Sequence, residues 1–257
     1  MQNQFHEFNR LHQQSEPLLL ANAWDAQSAR LFEQQNCKAI ATSSAAVAES
    51  LGYNDGEEMP FDEYLFVIKR IASSVSIPFS VDMEGGYGNS PAVIVENITR
   101  LYELGVSGIN IEDSIVTDGK RSIADPSVFA AKLQQVAHLL DTRNISMFIN
   151  VRSDSFLLGL PNPTEDALSR AKLYQDTGVH GLFFPCVTEL EDISQLTKYS
   201  KLPVNIMCMP GLAGFQQLKQ AGVKRISAGP FLNKKVYRQL AESVNRIQLE
   251  QNFSTLF

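Results

Sequence analysis

The sequence predicts an α/β chain closed into a (β/α)8 TIM barrel, and three observations carry that prediction. Eight short apolar runs alternate with amphipathic stretches of helical length. The same junction of helix, glycine, short turn and strand recurs at Leu104-Gly105-Val106-Ser107-Gly108-Ile109, Thr177-Gly178-Val179-His180-Gly181-Leu182 and Ala221-Gly222-Val223-Lys224-Arg225-Ile226. At 257 residues and 44% hydrophobic, the chain is the size of one undivided barrel. A doubly wound open sheet would need a glycine-rich phosphate fingerprint, and none is found. The expected organisation is one barrel domain over residues 1–257, with a leading helix and a C-terminal extension.

Phe5, Phe8 and Leu11 are spaced for an amphipathic helix over residues 2–14. Pro17–Ala21 reads as a buried strand, and Asp25 caps a helix running to Gln35. Ala39–Thr42 is the second strand. A long connection from Val47 to Met59, with Leu51-Gly52-Tyr53-Asn54-Asp55-Gly56, precedes a helix over Phe61–Ser74; loops of that length inside compact domains usually serve function. Strand three is Pro78–Val81, and Pro91 opens a helix to Leu104. Strand four is Gly108–Ile111, followed by a polar loop from Ser114 to Ala124 and a helix from Asp125-Pro126 to Asp141. Met147–Val151, Gly181–Phe184, Pro203–Met207 and Arg225–Ala228 are strands five to eight. Helices over Thr164–Thr177 and near 189–197, 211–221 and 230–249 accompany them.

The formal net charge is −6, and the 22 Lys and Arg residues form no cluster. That argues against a nucleic-acid or acidic-membrane partner, although one well-placed Arg can capture a carboxylate. Cys37, Cys186 and Cys208 contain no CxxC pair and suit reduced thiols. No basic segment followed by an apolar one opens the chain, and no apolar run reaches membrane-spanning length. The expectation is a cytoplasmic protein that neither spans nor coats a membrane.

In such a barrel the chemistry gathers at the C-terminal strand ends. There the sequence places Ser43 and Ser44, Asp82-x-Glu84, Glu112-Asp113, Arg152, Pro185-Cys186 and Cys208-Met209. Acids dominate and histidines are missing, so an oxygen-only hard-cation site for Mg2+, with Mn2+ as a substitute, is expected from Asp82, Glu84 and Glu112. Two acids at i and i+2 past a strand end point the same way, because side chains alternate along extended backbone. The competing reading is that these acids cap helices or pair with Arg152 or Lys120. Arg152 is expected to bind a substrate carboxylate through its planar fork, or else to pair with Glu112 or Asp154. The Ser43-Ser44 backbone amides could hold a carboxylate or a developing oxyanion. Trp24 either walls the pocket or packs beneath the first loop. Gly86 and Tyr87 on the glycine turn, and Asn205 on strand seven, complete the expected substrate-binding set. Met209–Gly214 and Gly229-Pro230 read as helix starts, and Cys186 as an inert thiol because no His stands ready to activate it.

These residues resemble a known family. Asp82-x-Glu84-Gly85-Gly86-Tyr87-Gly88-Asn89 resembles the D-x-D-T-G-Y/F-G-N segment of the phosphoenolpyruvate mutase/isocitrate lyase superfamily. Gly108-Ile109-Asn110-Ile111-Glu112-Asp113 is similar to its G-I-x-I-E-D segment, Leu51-Gly52-Tyr53-Asn54-Asp55 to its L-G-x-x-D loop, and Val151-Arg152 to its strand-five arginine. The resemblance implies a (β/α)8 barrel, often with the last helix swapped between subunits, and Mg2+-dependent chemistry on 2-oxo acids. It implies Asp82 as direct metal ligand, Glu84 and Glu112 acting largely through water, and Ser43, Ser44 and Arg152 holding the substrate with Asp55 lining its pocket. The sequence departs from the family pattern in two places. Glu84 replaces an aspartate, and the lyase K-x-C-G-H loop is replaced by Ser114–Ser122, without Cys or His, leaving Lys120 to stand in for the loop lysine.

The expected function is therefore an Mg2+-dependent lyase cleaving a C–C bond of a small 2-oxo or 2-hydroxy carboxylic acid through a pyruvate-like enolate. Asp55, Glu112, Arg152 and Lys120 form the catalytic set. The alternatives are P–C bond chemistry on phosphoenolpyruvate or phosphonopyruvate, which would draw on Lys120, Arg121 and Arg152, and a 2-oxo-acid-binding barrel with little catalysis. The final helix, Pro230 to Gln251, and the tail residues Phe253, Leu256 and Phe257 exceed one barrel's needs and suit a homo-oligomer, a dimer or tetramer with a swapped helix.

Overall fold

A computed structural model describes residues 2–117 and 119–257. Its elements in chain order are α1 (Gln2–His12), β1 (Leu18–Ala23), α2 (Ala26–Gln34), β2 (Ile40–Thr42), α3 (Ser44–Leu51), α4 (Phe61–Ala72) and β3 (Phe79–Asp82). Next come α5 (Pro91–Glu103), β4 (Gly108–Glu112), β5 (Ser114–Thr117), β6 (Lys120–Ile123), α6 (Pro126–Thr142) and β7 (Phe148–Arg152). The chain ends with α7 (Pro163–Tyr174), β8 (Gly181–Phe184), α8 (Leu190–Tyr199), β9 (Val204–Met207), α9 (Phe215–Gln220), β10 (Arg225–Ser227) and α10 (Phe231–Glu250). Eight of these strands close a parallel barrel in the order β1-β10-β9-β8-β7-β4-β3-β2, as the alternation of strands and helices requires.

Side-chain alternation sorts each strand into two faces. Outward residues such as Val81, Ile109, Ile111, Ile149, Val151, Leu182 and Ile206 pack under the surrounding helices. The inward set is polar towards the mouth. At the opposite end the barrel is closed by α1, whose Phe8 and Leu11 join Leu18, Leu20, Ala39, Ala41 and Phe148 in a separate buried cluster. Phe8 is fully buried and edge-on to Phe148, with centroids 5.3 Å apart. Burying that ring stabilises the fold by about 1.5–3 kcal/mol. Gly108 is required here, because a Cβ on it would sit 2.7 Å from the Phe8 ring.

Helix starts are set by capping side chains at the mouth. Asp25 accepts from Ser28 N at 2.7 Å, and Ser43, Ser90 and Asp125 cap α3, α5 and α6. Two expectations need correction. The connection from Val47 to Met59 is shorter, because Ser44–Leu51 forms α3: Ser43 caps it, small residues bury Ala46, Val47 and Ala48, and Gly52 at φ 85° ends it. The polar loop from Ser114 to Ala124 is an antiparallel hairpin, β5 on β6, pairing Ser114 with Ile123 and Thr117 with Lys120; Asp118 of that stretch lies outside the described residues. Helix α9 is also shorter than the 211–221 span. In α10 only Asn233 is buried, and Val236, Tyr237, Leu240 and Val244 are exposed. Among the described residues no helix is long and apolar enough to cross a membrane.

Candidate active site

A cavity of about 480 Å³ opens at the C-terminal mouth of the barrel. One side is polar, with Asn22, Ser43, Ser44, Asp55, Asp82, Asn110, Arg121, Arg152 and Ser227. The other is apolar, with Leu157, Leu158, Phe183, Pro185 and Met207, and Lys234 stands at the rim. A second hollow of about 540 Å³ lies at the opposite end, beside His138, His180 and Asp176, away from the strand-end acids.

Strand register explains how the polar side is assembled. Asp82 is paired across the sheet with Asn110, and Asn110 with Asn150. One step further, Glu112 of β4 lies against Arg152 of β7. Arg152 grips Asp154 with two bonds, Nε to Oδ1 at 2.6 Å and Nη2 to Oδ2 at 3.0 Å. Its Nη1 also lies 2.7 Å from Glu112 Oε2, a charge contact whose angle is outside a hydrogen bond. Arg121 descends from the hairpin, contacts Glu112 and Ser114, and donates to Asp55 Oδ2 at 3.0 Å. Asp55 thereby ties the α3–α4 loop to the hairpin. Burial works against the Arg152 charge, but Glu112, Asp154 and Asp82 more than offset it and keep the guanidinium charged.

Asp82 is fixed at both ends. Its backbone N–H donates to Thr42 Oγ1 and its carbonyl accepts from Tyr64 Oη, both at 2.9 Å. Oδ2 accepts from Ser44 Oγ at 2.9 Å, while Oδ1 is buried and has no partner among the described residues. Burial pushes its carboxyl up to about 6; Arg152 opposes this, and Glu112 and Asp55 reinforce it. Ser44 and Ala45 are the first two residues of α3, so their N–H groups have no intrahelical partner and face an anion-favouring helix start. Of the Ser43-Ser44 pair, only Ser44 has a free amide, because Ser43 N donates to Ala23 O at 3.3 Å.

The oxygen-only donor set fits a hard cation in a reduced form. Asp82 Oδ1 and Glu112 Oε2 are both buried oxygens without a hydrogen bond among the described residues, Glu112 Oε2 being met by an ion-pair contact from Arg152 and Asp82 Oδ1 by none. Among the described residues no three His, Cys, Asp or Glu side chains converge as a metal cluster. Mg2+ is usually held by one or two carboxylates together with waters and substrate oxygens. Asp82 suits the first role, with Glu112 behind it. Glu84 is the correction. β3 ends at Asp82 and Glu84 sits at φ 49°, so the alternation of an extended strand no longer aims the two acids together. Its carboxyl turns away, accepting from Glu57 N at 2.7 Å and Tyr87 Oη at 3.0 Å. Burial, with Asp55 and Asp82 adding to it, raises it to about 8.

Other expected residues fall outside the cavity. Lys120 is solvent-exposed at the start of β6, and its neighbour Arg121 enters instead, since adjacent residues of a strand face opposite ways. Trp24 packs edge-on to Phe32 at 6.4 Å, the packing alternative. Tyr87 packs against Phe61 and Tyr64. Gly86, at φ 110°, presses against Ile94, where a Cβ would sit 2.8 Å from its side chain. Asn205 is buried lower in the barrel, bonded to Asn150, Ser227 and the Arg225 carbonyl. Glu112 lies beneath the two guanidiniums and does not line the cavity. Cys186 and Cys208 stand outside the lining. Sequence reasoning missed Asn22, Asn110 and Ser227, although Asn110 shares the inward parity of Glu112.

Carboxylates and arginines gathered at the C-terminal mouth of a parallel barrel are the layout of a barrel enzyme. More specifically, residues 8–248 match the family model for phosphoenolpyruvate phosphomutase, and the chain belongs to that family. It is 33% identical over 222 residues to an uncharacterized protein of Mycobacterium tuberculosis, covering 86% of this chain and 81% of the relative. It is 29% identical over 195 residues to 2-methylisocitrate lyase of Salmonella typhimurium, covering 73% of this chain and 64% of the lyase. Among solved structures, a candidate phosphonomutase from Burkholderia cenocepacia J2315 superposes with TM-score 0.89 at 34% identity, covering 95% of this chain and 99% of that one. A phosphonopyruvate hydrolase complexed with oxalate and Mg2+ shares the fold at 18% identity and TM-score 0.85, covering 98% of this chain and 89% of that one. The superfamily comprises Mg2+-dependent lyases, mutases and hydrolases acting on pyruvate-like substrates, and this chain is one of its enzymes.

Proposed function

We propose that the protein is an Mg2+-dependent lyase that cleaves a C–C bond of a small 2-oxo or 2-hydroxy carboxylic acid through a pyruvate-like enolate. The observation that carries this reading is the pairing, in one cavity, of a partnerless Asp82 oxygen with two guanidiniums and an apolar wall. Mg2+ (or Mn2+), when bound through Asp82 and with Glu112 behind it, supplies a Lewis acid for the charge that develops on the 2-oxygen. The protein's own groups do the rest. Arg152, Arg121 and the free Ser44 and Ala45 amides hold the carboxylate, so that the scissile bond stays aligned. For a 2-oxo acid the C3–C4 bond breaks, its electron pair moves into the C2–C3 bond and onto the 2-oxygen, and C4 leaves as carbon dioxide. For a 2-hydroxy acid the C2–C3 bond breaks as the hydroxyl gives up its proton, C2 becomes a carbonyl and the pair rests on C3 until it is protonated. Asp55 is the cavity-lining carboxylate placed to take a hydroxyl proton or return one to C3.

The apolar wall of Leu157, Leu158, Phe183, Pro185 and Met207 suits an uncharged leaving end better than a phosphoryl group, which supports C–C over P–C chemistry. A homo-oligomer is part of the same reading, supported by the exposed apolar residues of α10. Oxaloacetate, 2-methylisocitrate and phosphonopyruvate, each assayed with and without Mg2+, test it. Asp82→Ala is expected to abolish metal-dependent turnover while circular dichroism stays native. Activity unchanged in that variant would sink the metal assignment, and turnover of phosphonopyruvate alone would sink the C–C reading.

A further inference from the structure

Below the cavity floor the barrel holds an uncommon group, the guanidinium of Arg225. It is fully buried, and among the described residues its Nε and Nη1 have no partner. Its one side-chain bond runs from Nη2 to Asn110 Oδ1 at 3.2 Å. Asn110 Oδ1 also accepts from Asn150 Nδ2 at 2.9 Å, and Asn150 Nδ2 donates in turn to Asn205 Oδ1 at 3.1 Å. An arginine can only donate, so the Asn110 oxygen must face down towards Arg225. The orientation of that amide therefore follows from chemistry rather than from the near-identity of oxygen and nitrogen in an amide group. With the oxygen pinned below, the Asn110 NH2 group has no partner among the described residues, and it belongs to a residue that lines the cavity beside Asp82.

We propose that Asn110 is a substrate-oxygen donor and that Arg225 is the positioning residue that keeps its N–H groups turned into the cavity. This rests on the 2-oxo-acid reading above and assigns to the same site a contact that the strand-end acids do not provide. The Asn110 N–H would meet an oxygen that gains negative charge during reaction, and the Arg225 guanidinium below, which has no ion pair within salt-bridge distance among the described residues, polarises the amide in that direction. An isolated buried guanidinium is costly to fold around. A directional role for Arg225 accounts for its single, well-defined bond.

Oxalate, which carries an enolate-like pair of oxygens, is the probe, titrated calorimetrically at fixed Mg2+ with thermal unfolding in parallel. Asn110→Asp keeps oxygen acceptors for Arg225 and Asn150 but presents no donor upward. It is expected to lose oxalate affinity by roughly tenfold or more while melting no lower than wild type, and since the new carboxylate also repels the anion, the uncharged Asn110→Ala separates lost donor from added charge. Asn110→Ala should lose a similar factor. Arg225→Met should weaken oxalate without touching it, and the double variant N110A/R225M should bind no more weakly than N110A. If R225M does not fold, Arg225→Lys, which keeps the charge and loses the fork, should show the same coupling. Wild-type affinity in N110D, or full additivity in the double variant, overturns the proposal. A wild-type protein that binds neither oxalate nor pyruvate refutes the 2-oxo-acid reading itself, and this one with it.

Discussion

His12 makes the fold acid-sensitive through a route separate from the active site. Its ring is buried, stacked on Phe148 at 4.2 Å and edge-on to Phe8 at 4.7 Å. Nδ1 lies 2.8 Å from the Phe8 carbonyl and donates to it, while Nε2 is buried with no partner among the described residues. A second proton would have nowhere to donate. Burial, reinforced by the Arg225 charge, lowers this imidazole to about 3. Because the folded value lies below the unfolded one, the contribution is present above about pH 6.5 and declines as pH falls towards 3. At pH 5 the linkage amounts to about 2 kcal/mol, and the full span to roughly 4–5 kcal/mol. Urea unfolding at pH 7 and pH 5 measures it, with His12→Phe as the comparison. Phe fills the same slot and cannot titrate, so its stability should fall by about 2 kcal/mol less than wild type over that interval. The buried acids and His180 are common to both proteins and cancel in the difference. Equal pH responses in the two proteins would refute the assignment.

Arg170 donates to Asp113 at 3.2 Å, to Tyr174 at 3.1 Å and to the Ala124 carbonyl at 2.9 Å. Arg170→Met, leaving Asp113 buried without its cation, should cost about 3–5 kcal/mol in urea unfolding, and a loss under about 1 kcal/mol would contradict the geometry. Arg121→Ala should raise the KM or oxalate Kd roughly ten- to a hundredfold, because a charged contact in the cavity is removed. Lys120→Ala, on the exposed side of the hairpin, should leave both unchanged; the reverse ranking in a titration series would overturn the hairpin register. The paired change Leu240→Asp and Val244→Asp on α10 should reduce the particle mass measured by light scattering, and an unaltered mass would refute a role for this face in assembly.

The fold was legible because every level of the sequence agreed. Apolar runs of strand length, glycines past helix ends and Pro or Asp at helix starts all point to one alternation, and a closed parallel barrel satisfies it. Two segments escaped for local reasons. Ser44–Leu51 is short and rich in Ala and Ser, so its period is weak; what makes it a helix is the Ser43 cap together with the Gly52 stop. The hairpin β5–β6 alternates, but over only four residues a side, with polar residues in both strands, and it reads as loop until its partner is seen.

The site was legible only where backbone geometry stayed regular. Asp82, Glu112 and Arg152 lie on strands whose register is fixed, so strand parity alone points them into the barrel. Glu84 lies two residues past that regularity. A positive φ at a non-glycine residue cannot be read from the letter Glu, and it sends the carboxyl to Glu57 and Tyr87 instead of the mouth. The same limit separates Lys120 from Arg121: a one-residue change of parity decides which cation enters, and only the pairing of Thr117 with Lys120 fixes it. Of the three acids the sequence assigns to a cation site, Asp82 alone lines the cavity. In compensation, three arginines (Arg121, Arg152 and, from below, Arg225) converge on the cavity or its floor. A mouth with more fixed cations than open carboxylates is built to receive an anion, and Asp82 is the cavity carboxylate left with an uncommitted oxygen for a metal.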